Sequence, residues 1–101
     1  MSDSILLEIK THDGGKGLLF YCPGCRYDHF VTIEPGTENN RPIWAWNGDM
    51  QKPTFSPSLG VNMQMAEMRC HSFIRDGKIE YLSDSFHELR GQTVDMQGID
   101  R

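Results

Sequence analysis

The sequence predicts a small all-β domain, sandwich-like or zinc-ribbon-like, made of antiparallel hairpins with one short helix near residues 85–90. Three observations carry this. Short segments with an apolar period of two alternate with clusters of turn formers. Asp76-Gly77 joins two such segments through the dipeptide that a type I′ hairpin turn favours. No helical stretch is long enough to carry the chain across to a parallel neighbour. At 101 residues, one domain spanning 1–101 is expected.

The elements follow in order. Ser4 to Lys10 alternates as a strand, and Thr11 to Gly17 is dense in turn formers, so a hairpin returns through Leu18-Leu19-Phe20-Tyr21. That strand runs into Cys22-Pro-Gly-Cys25, after which His29 to Ile33 resumes the period of two. Pro35 to Pro42 reads as a polar loop, and Ile43-Trp44-Ala45-Trp46 as a short aromatic strand ended by Asn47-Gly48-Asp49. Pro53 and Pro57 remove backbone donors from 52–58, which predicts an ordered loop or an edge and excludes a central strand. A two-residue Asp76-Gly77 turn pairs Arg75 with Lys78 and, counting outward, His71 with Leu82 and Cys70 with Ser83. One face then holds Cys70, Ser72, Ile74, Ile79 and Tyr81, and His71 points the other way. Ser85-Phe-His-Glu88 has the form of a capping box, giving a helical turn or two ended by Gly91. Thr93 to Met96 is the last strand candidate.

Charge and hydropathy narrow the function. The net charge is −4 with no basic cluster, which argues against a duplex nucleic-acid partner and favours a protein one. No apolar run approaches the roughly 18 residues of a membrane span, and the start carries no signal-peptide pattern. The expectation is a soluble cytoplasmic protein. In a reducing compartment the odd count of 3 Cys and the Cys22-x-x-Cys25 spacing read as a metal knuckle rather than a disulfide.

Zinc favours four thiolate and imidazole ligands in a tetrahedron. Cys70 lies at the open end of its hairpin opposite Ser83, and His87 follows shortly after. Cys22, Cys25, Cys70 and His87 are therefore the expected zinc set, with His29 or His71 as substitutes. His71 and His29, with Ser56, Ser58, Ser72 and Ser85, also allow a Ser–His pair, although no Gly-x-Ser-x-Gly elbow is present. Trp44 and Trp46 share one strand face, which suits core packing or a ligand platform.

Cys22-Pro-Gly-Cys25 with His29, Trp46-Asn-Gly-Asp49, Pro53-Thr-Phe-Ser-Pro-Ser58, Cys70-His-Ser-Phe-Ile74, Asp76-Gly77, Asp84-Ser-Phe-His87 and Gly91-Gln-Thr-Val94 stand in a fixed order over roughly residues 18 to 96. In that order they resemble a family of small phage and bacterial proteins long classed as a domain of unknown function. Members often carry an ammonia-monooxygenase label, which finds no support in a chain without a copper-type His cluster. For members in bacterial ubiquitin-like conjugation operons, the resemblance implies a zinc-containing serine peptidase, deubiquitinase-like, acting on the C-terminus or conjugates of the ubiquitin-like protein.

Carried onto this chain, the resemblance implies Ser58 or Ser56 as nucleophile, in a loop stiffened by Pro53 and Pro57. It further implies His71 as base, Asp84 as its orienting carboxylate, and Asn47 or a loop amide as oxyanion donor. Arg90 and Ser85 depart from the family's usual small residue and from the Cys of some members, and the latter change favours Cys70 and His87 as ligands. The competing expectation is a non-catalytic zinc module that docks a protein through Trp44 and Trp46.

Overall fold

The computed structural model describes residues 4–38 and 41–99, so residues 39 and 40 of the expected polar loop lie outside the described residues. Eight strands form two antiparallel sheets. The first has the order β1 (Leu7–Lys10), β2 (Lys16–Cys22), β3 (Tyr27–Glu34). The second has the order β4 (Ala45–Trp46), β5 (Phe55–Val61), β6 (Cys70–Arg75), β7 (Lys78–Tyr81), β8 (Thr93–Asp95). The described residues contain no helix, hence none able to cross a membrane.

Alternation places the core. β2 buries Leu18, Phe20 and Cys22 from one face, β3 contributes Val31, and Leu6 packs beside them. The second sheet answers with Phe55, Leu59, Cys70, Ile74, Ile79 and Tyr81, so both sheets share one contiguous apolar cluster. The β6–β7 hairpin has the expected register, from Arg75 opposite Lys78 to Ser72 opposite Tyr81. Asp76 and Gly77 take φ values of 51° and 77°, the two left-handed positions that a type I′ turn demands.

Two expectations are corrected. Segment 52–58 does not stay at an edge: from Phe55 the chain enters the sheet between β4 and β6. The prolines are tolerated because Pro53 precedes the strand and Pro57 lies in a register break. Between the pairs Phe55–Ile74 and Leu59–Ser72, three residues of β5 oppose Phe73 alone, so Ser56-Pro57-Ser58 bulges out of the ladder. The other correction is the short helix near 85–90, which is a series of turns. The backbone there makes only i→i+3-type turn bonds to itself, such as Arg90 N to His87 O, and otherwise bonds outward. Phe86 N donates to Arg69 O, and Gly91 N to Tyr81 O, at 2.8 and 3.0 Å. Leu89 N donates to the His87 ring. The Ser85 hydroxyl, expected to cap a helix, bonds to β6 instead.

Core packing sets the stability scale. Ile79→Ala, at a fully buried site, is expected to cost about 2–5 kcal/mol. Leu7→Ala, 49% exposed, should stay within about 0.5 kcal/mol. Urea denaturation of the two variants checks the contrast.

Candidate functional site

A cluster of donors lies where the two sheets meet. β2 ends on Cys22, and the chain reverses through Pro23-Gly24-Cys25 with Arg26 N bonded to Cys22 O at 2.6 Å. Arg26 supports the turn with φ of 66°. β3 then brings His29 back beside Cys22, and the first residue of β6, Cys70, arrives from the other sheet. The ligand atoms of Cys22, Cys25, His29 and Cys70 all lie within 4.8 Å of one another. The cysteines are free, and the 3.9 Å between Cys22 and Cys70 Sγ is nearly twice a disulfide bond.

That distance matches the spacing of two thiolates on one tetrahedral zinc, about 3.8 Å from ordinary Zn–S lengths. Two further features fit a metal. His29 is buried between the rings of Phe20 and Tyr27, and its Nε2 is buried with no hydrogen-bond partner. Without a cation, the thiols also restrain one another. Hydrogen bonds from Cys25 and then Cys70 hold the Cys22 thiol far below its ordinary range. The same contact with Cys22 pushes Cys25 up to about 11, and Cys22 and Cys25 together push Cys70 up. Tyr81 OH, 3.0 Å from Cys22 Sγ, is raised by burial and remains a neutral donor to that sulfur. The Cys25 amide faces Cys22 Sγ at 3.4 Å, as knuckle amides do toward thiolates.

His87 lies outside this group of donors and touches it from behind. Its Nε2 is 3.4 Å from Cys70 Sγ, while Nδ1 accepts from Leu89 N at 3.3 Å. Nδ1 being the acceptor, Nε2 carries the proton and donates to the sulfur. Burial, first among the causes, lowers the His87 pKa and keeps the ring neutral, as this arrangement needs. The ring lies so close to Gly24 that a Cβ there would run into it. The geometry thus favours His29, one of the expected substitutes, as the nitrogen donor, with His87 supporting Cys70. His71, the other substitute, faces away.

A second polar cluster stands on the opposite face of β6. Ser58, half-buried in the β5 bulge, has Oγ 3.1 Å from His71 Nε2. His71 Nδ1 is in turn 3.2 Å from Asp84 Oδ2, in the turn following β7. Hydroxyl, imidazole and carboxylate are therefore in line, with the carboxylate fixing the tautomer that leaves Nε2 free to accept. Trp44 Nε1 donates to Ser58 O at 3.2 Å and anchors the bulge. Ser56, named beside Ser58 as a nucleophile, is exposed, and its residue pairs with Ala45 of β4. Asn47 is engaged in its own loop: Oδ1 accepts from Asp49 N and Thr54 N, and Nδ2 donates to Lys52 O. Ser72 is buried in the core face.

Trp44 and Trp46 are half-buried and pack against the core cluster, which accounts for their apolar surface without a docked partner. The sequence reading missed the roles of Tyr81 and Trp44. Tyr81 was legible as a core residue, but which sulfur its hydroxyl meets depends on how two sheets dock.

Comparison with known proteins yields one family model, described as "Bacterial ubiquitination-like system serine protease (BubE)", matching residues 1–82. The matched segment includes Cys22, Cys25, His29, Ser58, Cys70 and His71 and stops short of Asp84. No curated protein and no solved structure matches.

Two outcomes test the metal cluster. Elemental analysis of protein purified without chelator is expected to find about one zinc per chain, lost in His29→Ala and retained in His87→Ala. Because thiols held protonated by raised pKa values must shed their protons to ligate, zinc binding should release protons and tighten as pH rises. Calorimetry in buffers of different ionisation enthalpy measures that release.

Proposed function

Because the chain belongs to the BubE family of bacterial ubiquitination-like system serine proteases, we propose that it is a serine peptidase that cleaves at the C-terminus of a bacterial ubiquitin-like protein or of its conjugates. The observation that carries this reading is the Ser58–His71–Asp84 relay, with contacts of 3.1 and 3.2 Å. Its parts come from three separate elements, and core packing alone has no need of such an arrangement on a half-open face.

In this reading Ser58 Oγ attacks the carbonyl carbon while His71 Nε2 takes its proton. Asp84 holds Nδ1–H and stabilises the imidazolium that forms. Collapse of the tetrahedral intermediate breaks the C–N bond, and His71 returns the proton to the departing amine. A water activated by the same imidazole then attacks the acyl ester, releasing the carboxylate and restoring Ser58. Cys22, Cys25, His29 and Cys70 would hold zinc, which supplies charge neutralisation and a cross-link between the sheets. Their contribution to the reaction is positional, since Cys70 directly precedes His71. A protein partner also suits the acidic balance of the chain.

Incubation with a cognate ubiquitin-like precursor tests the assignment. Ser58→Ala and His71→Ala are expected to lower kcat/KM by on the order of 10³ or more, and Asp84→Asn by about 10²–10⁴. Ser56→Ala should stay near wild type. Undiminished cleavage by Ser58→Ala would overturn the nucleophile. An active-site fluorophosphonate should label the wild type on Ser58 and leave Ser58→Ala unlabelled.

A further inference from the structure

His71 sits where the β6–β7 ladder runs out. The last paired residues are Ser72 and Tyr81. One step further, Leu82 N still donates to His71 O at 2.9 Å. The His71 N–H on that edge finds the hydroxyl of Ser85 instead, at 3.0 Å. The same Oγ donates back to His71 O, also at 3.0 Å. Ser85 is 4% exposed, so no bulk water stands ready to replace either bond. It also directly follows Asp84, whose carboxylate meets the ring of the same histidine. Consecutive residues of one turn therefore grip His71 at its backbone and at its imidazole.

We propose that Ser85 is a positioning residue of the relay: by locking the turn at 84–85 onto the His71 backbone, it fixes the distance between Asp84 and Nδ1 and so the ring's aim at Ser58. The inference rests on the peptidase reading for its kinetic consequence and on geometry alone for its spectroscopic one. Without the hydroxyl, the His71 N–H loses its partner, and Asp84 and Ser85 are held to β6 only through their neighbours, by Leu82 N to His71 O and Phe86 N to Arg69 O. Binding of substrate to the rest of the surface is unaffected, whereas the proton transfer is misaligned.

The test pairs two readouts in full-length, zinc-loaded protein. With the ubiquitin-like precursor, Ser85→Ala is expected to lower kcat on the order of 10- to 100-fold with KM within about twofold. Ser85→Thr, which keeps the oxygen, should recover most of that loss. By ¹⁵N NMR, the His71 ring nitrogens of the wild type should report a single Nδ1–H tautomer, which Ser85→Ala moves toward an average of both forms. If Ser85→Ala does not fold, the isosteric pair Ser85→Thr and Ser85→Val makes the same comparison. Wild-type kcat in the variant lacking the hydroxyl overturns the proposal, as do unchanged ring resonances. Equal losses with and without the hydroxyl also overturn it. If the wild type cleaves no precursor while the ring resonances still respond to Ser85, the substrate reading fails and the positioning role stands.

Discussion

Three sulfurs and an imidazole gathered within 4.8 Å at the junction of two sheets impose a demand that the rest of the structure meets. All are electron-pair donors once deprotonated, and Cys22, His29 and Cys70 are buried. Protons alone satisfy such a group poorly: holding Cys22 as thiolate forces Cys25 and Cys70 to stay protonated, and His29 Nε2 remains unpartnered. A divalent cation held there would resolve every one of these conflicts together. Three of the donors come from the β2–β3 side and Cys70 from the other sheet, so whatever satisfies the cluster also fixes how the sheets dock. Tyr81 at the end of β7 and His87 in the turns that follow it complete the arrangement, each donating to a sulfur while remaining neutral.

The period of two in a strand turns that constraint toward the other face. Cys70 points inward, so His71 must point outward, and its backbone has no freedom that Cys70 lacks. The relay is built on a residue whose neighbour is pinned in the core. Opposite it, the bulge in β5 lifts Ser58 out of a regular ladder and toward the imidazole. A regular strand would keep Ser58 on a face set by register with β6. The extra residues of the bulge uncouple the two, which is a common use of bulges beside reactive groups.

Much of this was legible locally. The Asp76-Gly77 turn fixes the hairpin register by counting, and from it follow the inward Cys70 and outward His71. The Cys22-x-x-Cys25 spacing marks the knuckle by itself. The choice between His29 and His87 was not legible, because His29 follows Cys25 by four residues while His87 reaches Cys70 only through the fold, and the docking of the sheets decides which ring faces the sulfurs. The helix near 85–90 failed for a related reason. Ser85 and Glu88 satisfy a local pattern, yet Arg69, His71 and Tyr81 offer the same backbone tertiary partners. The strand over Phe55 to Val61 was hidden because the proline rule assumes an unbroken ladder, whereas Pro57 falls in the gap.

Asn47 shows how the loop before β5 serves the site without touching it. Its side chain ties together Asp49, Lys52 and Thr54, so the approach to Pro53 and Phe55 is fixed before the bulge begins. Phe55, almost fully buried, then anchors the strand on one side of Ser58 and Leu59 on the other. Trp44 holds the Ser58 carbonyl from β4's approach. In the proposed peptidase, the attacking hydroxyl must be both accessible and immobile, two properties that usually oppose each other in a surface segment. The bulge allows both, because Ser56-Pro57-Ser58 is flanked by the buried side chains of Phe55 and Leu59 and the Trp44 indole holds the Ser58 carbonyl.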